Sequence, residues 1–467
     1  MRYAAPVGLI LCLLGWLAFP VGAAAQQPAA AKAEAAALRL DLAQSIATAL
    51  KNNAELKEAR LKIGAAESFL DEANAALFPS IELGAFVAPS PEYRGDVLAP
   101  RDDRARLDTG NTGSIGLFSS ADLSIVQPLF TFGKITNLRQ AARQGLAAER
   151  ARVEQTRDEV VLKVKEFYYG LLLARELNEV LLEIEDIVKD AQHDAQVLLE
   201  RDRGAQTDVL RLQVAQVVIN QQKEEINKSI ELARSALGHQ LGVKPGTGLE
   251  ITETALRREE VELLNLEMYV EMALQHRPEL RRLRAGIAAK DHLVKAEESD
   301  YWPRFFIAGG ARGGHSTSVD RQTNPFVNDP FNFLESYVAL GFKWDLGFLK
   351  NQAEVKRARS EYEQLLAKQD FATTGIPLEV KKRYLEAKEA AANIANFRNG
   401  VKLARGLLAL ESSNFTFGLK ESRDLIDALV SFATTEKSFF ESLYQYNLSI
   451  ARLGQAVGRE LSALKYE

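Results

Sequence analysis

One cysteine, Cys12, is the whole thiol complement of the 467 residues, and it lies in an apolar run near the start of the chain. Without a second thiol no disulfide can staple the fold, so stability must come from packing. Histidine is sparse as well: His193, His239, His276, His292 and His315 are scattered, and none has a partner at metal-ligand spacing. Gly246-Thr247-Gly248 lacks the lysine and hydroxyl residue of a phosphate loop. No metal, no cofactor, no catalytic residue and no enzyme is expected. Beyond Phe19 no apolar run reaches the roughly eighteen residues of a transmembrane helix, so any insertion into a bilayer has to use strands. Nor does positive charge predominate. Lys and Arg number 58 against 63 Asp and Glu, a net charge of −5, and nucleic acid is not an expected partner.

What is present begins with Met1-Arg2, an apolar run from Val7 to Phe19, a breaker at Pro20, and Ala23-Ala24-Ala25. These are the parts of a secretory signal peptide over 1–25. Cys12 sits inside the run with apolar residues on both sides, which does not fit a lipid-anchored N-terminus. Residues 26–39 read as an Ala- and Gln-rich leader. An exported chain without disulfides suits a Gram-negative periplasm or outer membrane.

From Asn137 to about Arg203 no proline occurs, and Val153, Thr156, Val160, Val164, Phe167, Leu171, Ala174, Leu177, Leu181, Ile184 and Val188 recur at steps of three and four. A mean step of about 3.5 is the period of a coiled-coil seam. At roughly 1.5 Å per residue the helix would be about 100 Å long, too long for one globular core. Ahead of it, Leu40 to Ala76 has helical spacing with a candidate break at Asn52-Asn53, and Pro79 ends it. Strands are expected over 79–88, where Ile81, Leu83, Ala85 and Val87 alternate with Ser80, Glu82 and Gly84, and over 121–132. A second long helix over 208–241 follows the long one.

The pattern then starts again. Leu40-Asp41-Leu42 answers to Leu264-Asn265-Leu266, Glu55-Leu56 to Glu279-Leu280 and Phe78-Pro79 to Trp302-Pro303, all at an offset of 224 residues. Phe130-Thr131-Phe132-Gly133 answers to Trp344-Asp345-Leu346-Gly347 at 214. The chain therefore reads as a duplicated unit, 40–250 and 251–467. In the second copy strands are expected over 303–312 and 336–346 and helices over 350–415 and 424–457. Thr373-Thr374-Gly375-Ile376-Pro377 is expected to break or kink the first of these helices.

Each strand is about ten residues, enough to cross a membrane when tilted. Four strands do not close a barrel, and an open sheet in lipid leaves backbone groups unsatisfied, so several chains would have to pool them. The competing reading is a small soluble sheet covered by helices.

At this point the chain resembles the TolC family of outer-membrane efflux and secretion ducts. The likeness rests on the duplicated layout, on Asn53-Ala54-Glu55-Leu56 and His276-Arg277-Pro278-Glu279-Leu280, on Gln127-Pro128-Leu129-Phe130 before Gly133-Lys134, and on two helical turns. It implies a mainly α fold with a membrane β-barrel part: a homotrimer whose strands form a twelve-stranded barrel in outer-membrane lipid, continuous with a periplasmic α-helical tunnel. Implied partners are a periplasmic membrane-fusion adaptor and an inner-membrane transporter of RND, ABC or MFS type. The implied function is passive exit in a tripartite efflux pump or type I secretion system. A soluble periplasmic coiled-coil adaptor or scaffold is the alternative.

The resemblance also assigns residues. Phe415 to Ala428 matches the family's second tip motif, which places Asp424 and Asp427 in a selectivity ring at the tunnel entrance. The residues alone allow a different reading, since acids in a first helical turn complement the helix dipole. Asp208 matches the first tip motif, where it would lock the closed entrance to Lys420 and to the position of Phe415, which here lacks the tyrosine hydroxyl. Helix capping competes for Asp208. The turns bearing Gly204 and Thr207, and Gly418 and Ser422, would dock the adaptor.

Overall fold

The computed structural model describes residues 38–92, 115–244, 246–322 and 326–461. The expected signal peptide with Cys12, most of the leader and the outer part of the first loop lie outside those residues.

The element order helix, helix, strand, strand, long helix, helix occurs twice. The first set is α1 (Leu42–Asn52), α2 (Ala54–Ala75), β2 (Ser80–Pro91), β3 (Ile115–Phe130), α3 (Lys134–Glu200) and α4 (Gln206–Gln240), preceded by a short β1 (Leu38–Leu40). The second is α5 (Leu266–His276), α6 (Pro278–Glu298), β5 (Arg304–Ser316), β6 (Phe333–Lys343), α7 (Phe348–Thr416) and α8 (Ser422–Val457), preceded by β4 (Leu249–Ile251). The small β1 and β4 pair in parallel and were not foreseen; three residues each carry too little pattern to read.

Local chemistry sets the helix ends. Asp41 caps α1 in a reciprocal box with Gln44, accepting from its N–H at 2.6 Å. Asn53 separates α1 from α2, accepting from Leu56 N–H at 3.1 Å, while its amide donates at 3.0 Å to the carbonyl of Gln240 at the end of α4. Gly458 closes α8 at φ +76, a left-handed conformation that a side chain would strain.

The seam of α3 is where the sequence period places it. Val160, Val164, Leu171, Ile184, Val188, Ala191 and Ala195 are buried. They divide between two cores. An equatorial cluster joins the middle of α3 to α8, α1 and α5 around Tyr168, Tyr269, Tyr446 and Leu237, and a second cluster lies near the helical turns around Phe415, Leu425 and Phe432. Pro377 does not break α7, which runs continuously from Phe348 to Thr416. The Thr373 and Thr374 hydroxyls donate back to the carbonyls of Asp370 and Phe371 at 2.8 and 3.1 Å, and Ile376 is buried. Packing on α8 along the helix's length offsets the single lost hydrogen bond.

The four longer strands form one antiparallel sheet in the order β2-β3-β5-β6. Pairing carries β2 and β3 outward as far as Pro91 and Ile115, beyond the expected 88 and 121. Ser90, Gly116 and Ser119 break the apolar alternation there without breaking the backbone ladder. The register gives the sheet two unlike faces. Ile81, Leu83, Leu123, Ile125, Ile307, Val338, Leu340 and Phe342 share one, and most are widely exposed, Leu83 at 76% and Val338 at 79%. Glu82, Asp122, Ser124, Arg312, Glu335 and Tyr337 share the other. There Arg312 pairs with Glu335 at 3.0 Å. Both outer edges, on β2 and β6, are unpaired among the described residues. Rings gather where the sheet meets the helices: Phe132 stacks on Trp302 at 5.3 Å, and Trp344 packs edge-on to Phe348. No helix among the described residues is long and apolar enough to cross a membrane.

Near the equator burial pushes Asp158 on α3 up to about 6, reinforced by Glu279 and Glu154 and opposed by Arg157 and Arg281. A carboxyl whose folded value is raised binds its proton more tightly when folded. Stability is therefore expected to fall as pH rises from about 3.9 to about 6 and then level off. In Asp158→Asn that slope should flatten, as thermal denaturation at pH 4, 5, 6 and 7 would show.

Candidate functional site

At the far end of the molecule from the sheet, α3 turns into α4 and α7 into α8, and the two turns are bound to each other. Gly204 fits because its backbone presses on the end of α3; a Cβ there would come within 2.9 Å of Leu198 Cβ. Gly418 takes φ +69 and lets the chain reverse within a few residues. Beneath the turns lies the apolar cluster holding Phe415, 2% exposed.

Asp208 is the centre of the joint. It is buried, and one carboxylate oxygen accepts from the Ser422 backbone N–H at 3.0 Å and from the Ser422 hydroxyl at 2.6 Å. Ser422 opens α8, so its N–H is one of the helix's orphan donors. Asp208 thus caps a helix, but the helix is α8 and not its own α4. Arg211, one turn on, reaches Glu421 at 3.2 Å and lies 3.6 Å from Asp208. Thr416 donates to Asp194 at 2.8 Å. Three links therefore tie the α3–α4 hairpin to the α7–α8 hairpin.

Two of the expected lock residues behave otherwise. Within the chain Lys420 pairs with Glu411 at 2.8 Å and not with Asp208, because Glu411 stands on the last turns of α7 directly within its reach. That hydrogen bond holds the Glu411 carboxyl below its usual range and the Lys420 amine above its own. Phe415 contributes packing only. Ser422 was expected as a docking contact, yet it is fully buried and engaged by Asp208, whereas Thr207 and Gly418 lie on the surface.

Asp424 and Asp427 are both exposed on α8, and neither carboxylate forms a hydrogen bond or ion pair among the described residues. Asp424 is in the first turn, where an acid complements the dipole. Asp427 lies beyond it, where that effect has faded. Beside Asp427 an apolar groove of about 750 Å³ runs between α4 and α8, walled by Leu210, Val214, Val218, Ile426 and Val430. Nothing in the sequence reading pointed to this groove. The signal was present in Val214, Val217 and Val218, apolar and more than half exposed on a helix expected to be polar outside its seam.

The family model described as outer membrane efflux protein matches residues 45–243 and 269–459, which together take in the sheet, both pairs of long helices and both turns. This chain belongs to the outer membrane efflux protein family. Among relatives of known role, the alkaline protease secretion protein AprF of Pseudomonas aeruginosa is 24% identical over 365 residues, covering 77% of this chain and 71% of AprF. Among solved structures, the outer-membrane channel OprN superposes with a TM-score of 0.73 at 16% identity over 90% of each chain. The CmeC outer membrane channel of Campylobacter jejuni superposes with a TM-score of 0.72 at 15% identity, covering 91% of this chain and 88% of CmeC. Those two likenesses are of fold. As an outer membrane efflux protein the molecule is a channel and not an enzyme, and the soluble adaptor reading falls away.

Proposed function

We propose that three copies of this outer membrane efflux protein join their sheets edge to edge, β6 of one against β2 of the next, into a twelve-stranded barrel continuous with a helical tunnel. One observation carries the reading: the sheet has an exposed apolar face, a polar face and two unpaired edges. Closure by pooling strands would satisfy the edges, turn the apolar face to lipid and the polar face to a lumen. A signal peptide over 1–25 would bring the chain to the outer membrane.

The tunnel would taper to the bound turns, with Asp424 and Asp427 ringing the entrance and the joint around Asp208 holding it shut. A periplasmic adaptor would dock beside the exposed turn residues and the apolar groove between α4 and α8. An inner-membrane transporter would supply the energy, since no phosphate loop is present in the sequence. Between drug efflux and type I secretion, secretion of a polypeptide has the support of the likeness to AprF.

The test is biochemical. The protein should fractionate with the outer membrane, run on gels as a trimer that heat converts to monomer, and open channels in planar bilayers. Recovery as a soluble monomer would sink the proposal.

A further inference from the structure

At the end of the sheet nearest the helices, β5 begins at Arg304 and β6 ends at Lys343, and the two residues are direct partners in the antiparallel register. Alternation puts them on the polar face with Arg312, Glu335 and Tyr337, while their neighbours Phe305 and Phe342 pair on the apolar face with ring centroids 6.2 Å apart. Cross-strand partners stand about 5 Å apart at Cβ, and like charges placed there cost stability.

The acids nearby do not neutralise the pair. Asp300, only 12% exposed at its side chain, takes Arg304 at 2.7 Å on one oxygen and Lys134 on the other. Asp345 accepts from the Gly347 N–H at 2.9 Å, and Glu298 is held by Arg359 at 2.9 Å. The Lys343 side chain has no hydrogen-bond or ion-pair partner among the described residues and is exposed. One carboxylate therefore serves Lys134 and Arg304, and the charge of Lys343 is left over. Farther along the same face the balance reverses, with Glu82, Asp122 and Glu335 against Arg312 alone.

We propose that Arg304 and Lys343 are an anion-binding, specificity-determining pair at the base of the barrel, where three copies make a basic ring for carboxylate-rich cargo. The geometry favours such cargo because two adjacent cations on a water-facing wall present several donors to one or two carboxylates, and the low-dielectric wall around them focuses the field. Lys343 supplies the unspent charge; Arg304, steadied by Asp300, supplies a planar donor edge. The ring would lie between the acidic entrance and the acidic mid-barrel face.

This inference rests on the trimeric duct, and its test separates the two. The purified protein is reconstituted into planar bilayers, and poly-glutamate is added on the barrel side while single channels are recorded. Wild type should be blocked, Lys343→Gln should need at least about fivefold more poly-glutamate, Lys343→Glu should lose block, and Lys343→Arg should keep it. Citrate as a second probe distinguishes a site for small polycarboxylates from one that needs a polypeptide: equal sensitivity to both supports the ring for either, block by poly-glutamate alone supports it for polypeptide. Absence of channels from wild type would overturn the duct reading and the ring with it. Channels whose block is identical in Lys343→Gln, Lys343→Glu and wild type would overturn the ring and leave the duct standing.

Discussion

Asp208→Ala is expected to raise single-channel conductance severalfold and to shift the closed channel toward its open form. The carboxylate is the shared acceptor for the backbone N–H and the hydroxyl of Ser422, both buried. Its removal leaves the first N–H of α8 without a partner in a site closed to water, at a cost of about 1–3 kcal/mol. A trimer would bear that cost three times at one constriction. Of the polar links at the turns only Arg211–Glu421 and Thr416–Asp194 would then remain, the first of them solvent-exposed and worth little, above the apolar cluster that the two hairpins share. Ser422→Ala removes the hydroxyl bond but keeps the N–H bond, so its effect should be smaller and in the same direction. A conductance for Asp208→Ala equal to wild type would remove the joint from the gate.

Asp424→Asn combined with Asp427→Asn is expected to weaken block by multivalent cations, such as hexamminecobalt, by more than about tenfold. The two carboxylates are three residues apart on one face of α8, exposed and without ion-pair partners among the described residues. Threefold symmetry would gather six of them. The change should shrink as salt is raised toward 1 M, where the screening length falls to about 3 Å. Each single variant should retain part of the block. Asp427→Asn is the more telling one, because Asp427 lies past the turn in which a helix dipole could account for an acid. Block unchanged in the double variant would exclude both residues from the entrance.

Much of the architecture was legible in the sequence because it is built from long periodic elements. A seam that recurs from Val153 to Val188 within the 67 residues of α3 leaves little choice of conformation, and the offset of 224 residues revealed the second set of elements. Strand ends were less legible. Pro89, Pro91 and Gly116 read as loop, yet on a sheet edge and beside a close neighbour the backbone continues its ladder through them. Pro377 misled for a related reason. A proline forfeits one hydrogen bond, and a helix of 69 residues packed along α8 continues through it without a break. At the turns, Asp208 could be singled out by its place in the motif. Its partner could not, since Ser422 lies 214 residues away and is brought there only by the packing of two hairpins. The expected Asp208–Lys420 pair fails within the chain because Glu411 offers Lys420 a nearer carboxylate.

The unpaired edges of β2 and β6 bear on how the molecule is made. A lone chain entering hydrocarbon would carry two rows of bare amides and carbonyls about a dozen residues long, and each unsatisfied group costs several kcal/mol there. On the proposed trimeric barrel, insertion chain by chain would be disfavoured, and assembly and entry into the bilayer would be coupled. A chain outside such an assembly shows water a sheet face with Leu83, Val338 and Leu340 widely exposed, together with edges able to pair with any passing strand. In the proposed trimer each sheet's edges would find their missing partners on its neighbours, and the apolar face would leave water in the same step.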